Sequence, residues 1–407
     1  MGLLLLGTFL FFLLLGVPVA ITIGLASVIA LVSGDMSLML VAQRMFAGTD
    51  SFALIAVPFF ILAGDILAKG KISEKLVEFA DAVFGFLKGG LSVVAVLAGM
   101  FFAAISGSGA ATTAAVGTTL VPELKRKGYE EASSASLIAA SGTIGVVVPP
   151  SVPMIIYAVI ADQSVARLFL NGFIPGVAMG LILIGISIRQ AVKRNYPRGA
   201  EFRIKNIVKT FFDALWGLLT PVIILGGIFS GYFTPSEAAV IAVNYSLLVS
   251  VFVYRDLGLK DIYRIMIRSI ITMSVIMFII ATSSVLSWVL ANWSIPRIVA
   301  NAVLSLSSNP HVIMFLVALI IVVTGVFVET ASALIILTPV FLPLVNELGI
   351  DLVHFGLVIV MGLAIGMITP PVAINLYVAS SITGLSIERI TRAIVPYLLA
   401  LMIVLLL

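Results

Sequence analysis

Long apolar runs separated by short polar segments recur along the whole chain. Nine of them are roughly 20 residues long, the length that an α-helix needs to cross the hydrocarbon core of a membrane. They do not alternate with period two, so they do not predict the strands of a β-barrel. Because backbone groups in lipid must bond to one another, the runs predict membrane-spanning helices. The predicted spans are residues 3–31, 52–68, 132–160, 168–188, 211–230, 235–253, 269–290, 352–379 and 393–407.

Two further apolar stretches, residues 91–121 and 312–344, are interrupted near their middle by small and polar residues. We interpret each as a re-entrant hairpin, which enters and leaves the membrane on the same side. Three amphipathic segments are predicted to lie along the membrane interface. These are residues 36–46, 72–87 and 296–306.

Composition agrees with an integral membrane protein. Apolar residues make up 61% of the chain and charged residues only 10%, whereas soluble domains have about 45–50% and 25%. The chain has no cysteine, and its two histidines lack the spacing of metal ligands. The net charge of +4 does not indicate nucleic-acid binding. The first run has no basic start and is too long for a signal peptide, so it is predicted to be the first span.

The distribution of basic residues predicts the sidedness of the membrane protein. The most basic connection is expected in the cytoplasm, and counting spans from it places two other basic segments there. The first hairpin is flanked by lysine and arginine and the second by neither, so their mouths are predicted to face opposite sides. The basic connection holds Arg189, Lys193, Arg194, Arg198, Arg203, Lys205 and Lys209 against Glu201. The two other segments hold Arg255, Lys260, Arg264 and Arg268, and Arg389 and Arg392. Lys88 and Lys125-Arg126-Lys127 flank the first hairpin, and residues 309–311 and 346–351 flank the second.

The two halves of the chain show an internal repeat. When the first half is shifted by 221 residues, several of its prolines and glycines coincide with those of the second half. The extra span 211–230 between the halves would invert the second copy, and inverted repeats of this kind are typical of secondary transporters. The coinciding pairs are Pro122 and Pro343, Gly128 and Gly349, Gly145 and Gly366, Pro149-Pro150 and Pro370-Pro371, and Pro175 and Pro396.

Each copy carries a Gly-x-x-x-Pro-Pro motif in the middle of a predicted span, at residues 145–150 and 366–371. A proline pair removes two backbone donors and disfavours helix before it, so the helix is predicted to break there. Carbonyls before the break are then free to face a cation, and N–H groups after it favour an anion. The alternative interpretation is an ordinary proline kink.

The hairpin centres are also unusual. The first reads Ser-Gly-Ser-Gly-Ala-Ala-Thr-Thr at residues 106–113, and the second reads Thr-Gly-Val-Phe-Val-Glu-Thr-Ala-Ser at residues 324–332. Hydroxyls and glycine carbonyls are oxygen ligands of the kind that hard cations prefer. Close helix packing through small residues is the structural alternative.

Acidic residues within apolar segments are candidates for function because they are costly there. Glu329 is predicted to line a substrate cavity or to carry a proton, with capping of the second hairpin arm as the alternative. Asp65 is a weaker candidate, since Lys69 follows one turn later. Residues 234–237, Thr-Pro-Ser-Glu, form a predicted capping box, so Glu237 is assigned a structural role.

With these motifs, the run Gly-Tyr-Phe-Thr-Pro-Ser-Glu-Ala-Ala at residues 231–239 and the start at residues 15–20, the whole chain resembles the large membrane subunit of TRAP transporters (DctM-like; ion transporter superfamily). The resemblance implies an all-α, inverted-repeat elevator fold that imports organic-acid anions such as C4-dicarboxylates or sialic acids with Na⁺. It also implies a small four-helix membrane partner (DctQ-like) and a periplasmic substrate-binding protein, in a bacterial inner membrane.

The resemblance further implies two Na⁺ sites, a substrate site and a division into scaffold and transport segments. The first Na⁺ site would use oxygens of Ser106, Gly145, Val148 and Pro150, and the second those of Gly325, Gly366, Thr369 and Pro371. The substrate would lie near Ser108, Ser151, Glu329 and Thr330. Residues 1–88 and 167–307 would be scaffold and connecting helices, 89–166 and 308–385 the two transport segments, and 386–407 the C-terminal span.

Three other classes of protein are alternatives. A self-sufficient Na⁺/dicarboxylate carrier of the same superfamily would need no partner subunits. A membrane-embedded enzyme is disfavoured because the chain shows no Ser/His/Asp set, metal-ligand cluster or paired intramembrane acids. A channel is disfavoured because it has no use for broken helices in two opposed repeats.

Overall fold

The computed structural model describes residues 2–199, 202–305, 307 and 309–407, and its secondary structure in these ranges is helical. Leu306, the end of one predicted amphipathic segment, and Glu201 of the basic connection lie outside the described residues. The first ten α-helices are α1 Gly2–Leu14, α2 Val19–Ser33, α3 Met39–Thr49, α4 Ala56–Lys69, α5 Ile72–Phe84, α6 Gly90–Ser106, α7 Gly109–Arg126, α8 Glu131–Thr143, α9 Val152–Ile160 and α10 Val165–Lys193. The others are α11 Ile204–Phe229, α12 Pro235–Leu248, α13 Leu259–Asn292, α14 Ile295–Leu304, α15 Pro310–Phe327, α16 Thr330–Glu347, α17 Leu352–Gly366, α18 Ile374–Thr383 and α19 Ile387–Leu406.

The prediction of one continuous span over residues 3–31 is wrong. The helix stops at Leu14, and a new one begins at Val19. Gly16, with φ of +77°, reverses the chain in a conformation that a residue with a Cβ rarely adopts, and Pro18 cannot continue a helix. Gly2 lies against Ile295 and Gly34 lies against Trp293. The start of α1 and the end of α2 are therefore neighbours, and the two helices form an antiparallel pair.

Eight helical segments of the described residues are long and apolar enough to cross a membrane. Both arms of the predicted second hairpin are among them, at 18 residues each. Their length therefore does not distinguish a re-entrant hairpin from two helices that cross the membrane. Helix α13 begins ten residues before the predicted span. The prediction began too late because Lys260, Arg264 and Arg268 lower the hydropathy of the first turns of the helix. The eight segments are Phe52–Lys69, Val165–Lys193, Ile204–Phe229, Pro235–Val253, Leu259–Asn292, Pro310–Phe327, Thr330–Glu347 and Ile387–Leu406.

Helix boundaries repeat with the 221-residue offset that the prolines and glycines suggested. Shifted by that number, the bounds of α7 coincide with those of α16, and α6, α8 and α9 fall within three residues of α15, α17 and α18. The scaffold differs between the copies: α3 and α4 of the first are separated at Asp50 and Ser51, whereas the second has the continuous helix α13. The repeat is therefore strictest in the two helix pairs and the interrupted helices that follow them.

The two helix pairs open toward opposite ends of α10, as the charge pattern predicts. At the C-terminal end of α10, Asn195 accepts a hydrogen bond from Lys88, which precedes α6. At its N-terminal end, Arg167 lies 3.8 Å from Asp351, which follows α16. The 29 residues of α10 span about 44 Å at 1.5 Å per residue. The mouths of the two pairs are thus separated by the length of a long membrane helix.

The two repeats also exchange helices. Helix α9 packs against α16 and α17, and α18 packs against α7 and α8. Along α18, Asn375 contacts Gly142 and Ile382 contacts Gly117, so α18 runs parallel to α7. Every residue from Ala132 to Thr143 in α8 is buried, and this helix is rich in alanine, serine and glycine. Small side chains let helices approach closely where lipid removes the hydrophobic drive for association.

Candidate ion and substrate sites

The first candidate site forms where the α6–α7 connection meets the interrupted helix. Helix α6 ends at Ser106, and Gly107 turns the chain with φ of +59°. Ser108 then caps α7, its hydroxyl accepting a hydrogen bond from the N–H of Ala111. A serine at this position satisfies one of the free N–H groups of the first turn. The connection thus presents two hydroxyls and a strongly turned backbone at its tip, which we call the first tip (residues 106–108).

Across from the first tip, the helix is interrupted at the proline pair. Helix α8 ends at Thr143 and is followed by a 3₁₀ turn, Ile144–Val146. The backbone is then non-helical up to Ser151, whose hydroxyl caps α9. All residues from Thr143 to Ser151 are buried. Pro149 and Pro150 have no N–H, so the carbonyls of Gly145 and Val146, four residues before them, lose their helical donors. The Val146 carbonyl accepts from the Ser151 hydroxyl instead.

The side-chain oxygens at the first tip form one buried network. The Ser106 Oγ lies 2.9 Å from the Thr112 Oγ1 and 3.3 Å from the Ser108 carbonyl oxygen. The Thr112 hydroxyl also donates to the Ser108 carbonyl at 2.8 Å. Ser106 and Thr112 are 3% and 0% exposed. Three oxygens are therefore held within hydrogen-bonding distance of one another, and two of them belong to buried side chains.

Two glycines allow this network to reach the interrupted helix. A Cβ on Gly145 would lie 2.6 Å from the Thr112 Oγ1 and 2.7 Å from the Ser108 carbonyl oxygen. A Cβ on Gly107 would lie 2.8 Å from the Pro150 carbonyl oxygen. Both approaches are too close for any other residue. The structure therefore brings Ser106, Gly145 and Pro150 together, and Val148 lies in the same buried stretch between Gly145 and Pro150. The oxygens gathered here are of the kind that hard cations take.

The second candidate site also depends on a close glycine contact, but it has fewer side-chain oxygens and an extended residue, Val328, at the repeat position of Gly107. A Cβ on Gly366 would lie 2.6 Å from the carbonyl oxygen of Gly325, so the end of α15 touches the end of α17. The Thr369 hydroxyl donates to the Ile365 carbonyl at 2.8 Å. Thr369 is half-buried and Pro371 is exposed. Phe327 and Ala333 occupy the repeat positions of Ser106 and Thr112, so this site is built mainly from backbone carbonyls.

The four predicted substrate residues have different surroundings. Ser108 is half-buried, and Glu329 is exposed and caps α16 by accepting from the N–H of Ser332 at 3.1 Å. Thr330 is buried, and its hydroxyl has no partner. Ser151 is fully buried and donates to the Val146 carbonyl at 2.5 Å. The capping role considered for Glu329 is confirmed, and substrate contact by the four residues stays a prediction.

Other predicted roles can be placed as well. Glu237 forms the predicted capping box, accepting from the backbone N–H of Thr234 at 2.8 Å. Asp65 accepts a hydrogen bond from Ser269 at 2.6 Å. Outside the apolar segments, the backbone N–H of His354 holds the pKa of Asp351 below its usual range, and Lys125 does the same for Glu131. Asp351 lies at the mouth of the second helix pair, and Glu131 lies at the mouth of the first.

Two residues of the site region stand outside the predicted ligand sets. Thr112 lies in the polar run at residues 106–113, whose hydroxyls are predicted to be cation ligands or packing residues, and its hydroxyl links Ser106 to Ser108. Asn375 is fully buried and donates from its amide to the Ala139 carbonyl at 3.2 Å, which joins the two repeats. Its isolated amide in an otherwise apolar stretch four residues after Pro371 was the available signal. Among the described residues, no group of three or more His, Cys, Asp or Glu side chains forms a metal cluster.

The spanning helices and the reciprocal packing of two repeats around interrupted helices define a multi-pass membrane protein with the architecture of a transporter. Residues 6–407 match the family model described as "Tripartite ATP-independent periplasmic transporter, DctM component". The chain belongs to this family, as its resemblance predicted.

Several relatives have names that describe transport. The chain is 39% identical to the C4-dicarboxylate TRAP transporter large permease protein DctM of Pseudomonas aeruginosa, over 89% of this chain and 85% of that protein. It is 35% identical to the sialic acid TRAP transporter large permease protein SiaM of Vibrio cholerae, over 96% of this chain and 92% of that protein. It is 39% identical to the isethionate permease DctMQ of Oleidesulfovibrio alaskensis, over 98% of this chain but only 63% of that longer protein. These relatives are transporter permeases rather than enzymes.

A solved structure supports the fold. The chain aligns with the YdaH transporter of Alcanivorax borkumensis at a TM-score of 0.66, covering 90% of this chain and 85% of that one. The sequence identity is 14%, so the likeness concerns the fold alone.

Proposed function

We propose that this chain is the large permease of a Na⁺-coupled transporter that imports an organic-acid anion with the help of a binding protein. The observation that carries the proposal is the first site, where buried hydroxyls and backbone carbonyls converge across two glycines. Neutral oxygens of this kind suit Na⁺ and do not titrate, which favours Na⁺ over H⁺ as the coupling ion. In the family, the relatives named above transport anions.

The residues suit two co-transported Na⁺ ions. The first would be held by Ser106, Gly145, Val148 and Pro150, and the second by Gly325, Gly366, Thr369 and Pro371. Bound Na⁺ supplies positive charge beside the tips, which favours an anionic substrate, and the first turns of α9 and α18 add the positive ends of two helix dipoles. The substrate would lie between the tips, near Ser108, Glu329 and Thr330. Ser151 would support the site through its cap on α9.

The transport step would be an elevator movement, in which residues 89–166 and 308–385 slide together against the scaffold. The reciprocal packing of α9 and α18 ties these two segments into one body. The transport segment packs closely on the scaffold through a small residue. A Cβ on Gly64 of α4 would lie 3.0 Å from the Ser106 backbone. Glycine at this contact lets the two helices approach closely.

The chain would work in a bacterial inner membrane with a small four-helix membrane subunit and a periplasmic binding protein. Relatives with TRAP in their names support this assignment. We expect the substrate to be a carboxylate or sulfonate, since relatives are named for C4-dicarboxylates, sialic acid, 2,3-diketo-L-gulonate and isethionate.

Uptake into proteoliposomes tests this function. The permease is reconstituted with its small subunit, and uptake of succinate, N-acetylneuraminate and isethionate is measured with the cognate binding protein outside. An inward Na⁺ gradient should drive uptake of one of these anions, and a proton gradient in Na⁺-free buffer should not. Equal uptake on the proton gradient would contradict Na⁺ coupling.

Omitting the binding protein provides the second comparison. Free substrate alone should then give almost no uptake, and the large subunit by itself should not transport. Strong uptake without the binding protein would identify a self-sufficient carrier instead.

A further inference from the structure

A water-accessible crevice lies between the first helix pair and the scaffold. Its volume is about 240 Å³. One wall is the small-residue face of α7, with Ala111, Ala114 and Thr118, and the other wall comes from α4 and α13. We call this space the basic crevice, because Lys69, Arg264 and Arg268 line it.

The lining of the basic crevice carries more positive than negative charge. Among the described residues, no carboxylate lies within ion-pair distance of Lys69, Arg264 or Arg268. The single acid of the lining, Asp65, accepts a hydrogen bond from Ser269 at 2.6 Å. Three cations therefore face one acid in a space bordered by apolar walls, where an anion is attracted more strongly than in open water.

The basic crevice leads from the first tip toward the end of the molecule that the charge pattern places in the cytoplasm. Its inner end is close to the tip, because Gly64 packs on the Ser106 backbone one residue before Asp65. Ala111 lies one turn into α7 from Ser108. Arg268 and Arg264 follow in turn along α13 toward its N-terminus. A ligand leaving the first tip along α7 would pass both arginines.

The repeat supplies a comparison crevice on the opposite side. Its volume is about 280 Å³, and it is lined by Ser51, Ser283, Ser284 and Ser287 with apolar residues. Shifted by 221 residues, Ala47 and Ile335 of this serine crevice correspond to Arg268 and Ala114 of the basic crevice. The two spaces are thus related by the internal repeat, but only one of them carries charge.

We propose that the basic crevice is an anion-binding vestibule on the cytoplasmic side, where Arg264 and Arg268 hold the carboxylate or sulfonate of the transported substrate before its release. This rests on the proposed function for the identity of the ligand. The preference for basic residues in the cytoplasm accounts for their number, but not for three unpaired cations converging on one crevice. Arginine presents a planar fork of donors that matches a carboxylate.

Cysteine labelling tests the vestibule without relying on transport. The chain has no cysteine, so Thr118→Cys places one thiol in the basic crevice and Ser287→Cys places a matched thiol in the serine crevice. Each variant, in nanodiscs of phosphatidylcholine, is treated with a negatively and a positively charged methanethiosulfonate. Each rate is divided by the rate of the same reagent with a small thiol in solution.

The anionic reagent should be favoured about 10-fold at position 118 and not at position 287, since a basic cleft concentrates anions by at least this factor. Adding Arg268→Gln should reduce the preference at position 118, whereas Arg268→Lys should keep most of it. Equal preferences at the two positions would overturn the proposal.

Protection from labelling then identifies the ligand. Succinate or isethionate should slow the reaction at position 118, compared with chloride at the same ionic strength, and Arg268→Lys should weaken this protection because the fork is lost. Absence of protection by both anions would overturn the vestibule. Equal protection by phosphatidylglycerol in the nanodisc, without added anion, would assign the crevice to a lipid headgroup and would also overturn it. No ion gradient is involved, so failure of Na⁺-driven uptake leaves this result unchanged.

Discussion

The two candidate sites differ in their side-chain oxygens, in their burial and in the backbone at their tips, where Gly107 is left-handed and Val328 is extended. At the first site, Ser106 and Thr112 surround the tip with hydroxyls, and the whole interrupted stretch is buried. At the second site, the corresponding positions are Phe327 and Ala333, and Pro371 is exposed. Both nevertheless depend on a glycine that admits another backbone, Gly145 in one and Gly366 in the other.

This difference shows which parts of such a site the fold requires. The close approach of backbones is common to both copies, whereas the side-chain oxygens are not. We infer that the first site is preorganised by its hydroxyl network. Preorganised donors bind more tightly because no reorganisation cost remains.

Sidedness offers the largest test of the comparison, because its outcome is all or none. Lys125→Cys and Asn346→Cys each place one thiol at the mouth of a helix pair in a chain without cysteine. Because the mouths lie at opposite ends of α10, a membrane-impermeant reagent added outside should label position 346 only. Position 125 should react after the membrane is permeabilised. Labelling of both positions from one face would contradict the inverted repeat.

Replacing the glycines should have the next largest effect. Gly145→Ala and Gly366→Ala each push a Cβ into another backbone, and overpacking of this kind costs about 1–3 kcal/mol. Both variants should lower the Tm and lose most of their Na⁺-driven uptake. Gly226→Ala in α11 is the matched control, because a Cβ there meets nothing within 4 Å. A Gly366→Ala variant as active and stable as the control would show that the second tip does not need this contact.

Thr112→Val tests the hydroxyl network of the first site. The substitution removes the hydroxyl that links Ser106 to the Ser108 carbonyl, a loss of about 0.5–1.5 kcal/mol, and removes an oxygen beside the proposed ion. The half-maximal Na⁺ concentration should rise about 10-fold. Thr119→Val is the control, since the Thr119 hydroxyl bonds only to the Ala115 carbonyl within its helix. An unchanged Na⁺ dependence would remove Thr112 from the site.

Thr369→Val should give the smallest effect, a rise in the half-maximal Na⁺ concentration of about 2–5-fold. Thr369 is half-buried, and backbone carbonyls form the rest of the second site, so loss of one neutral hydrogen bond worth about 0.5–1.5 kcal/mol sets the scale. Thr272→Val, whose hydroxyl bonds only to the Arg268 carbonyl within its helix, serves as the control. A larger effect than that of Thr112→Val would reverse the ranking of the two sites.

The sequence predicted the helical membrane fold and the repeat because both have strong periodic signals. Apolar runs report membrane helices directly, and the proline and glycine pairs gave an offset that the bounds of α7 and α16 repeat. The break between α1 and α2 was missed, because Gly16 and Pro18 lie in an unbroken apolar run and hydropathy does not register a turn. The first turns of α13 were missed because their basic residues lower the hydropathy, although the helix continues through them.

Within the sites, motifs predicted the backbone better than the side chains. Glycine and proline have narrow conformational roles, so Gly145, Pro150 and Gly366 could be placed from the sequence. Thr112 and Asn375 act through contacts with residues distant in the chain or on the other side of a turn, and a single sequence gives no sign of such pairings. The cap at Glu329 depended on where α16 begins, which hydropathy alone does not fix.

The common bounds of α7 and α16 also bear on how such chains change length during evolution. From the start of each of these helices to the start of the interrupted helix that follows, both copies have the same number of residues. Deleting one residue in this stretch would rotate everything beyond it by about 100° around the helix axis and would turn the glycine away from the tip. We therefore expect insertions and deletions among family members to gather in the polar connection between α10 and α11, where a change in length leaves both tips in register.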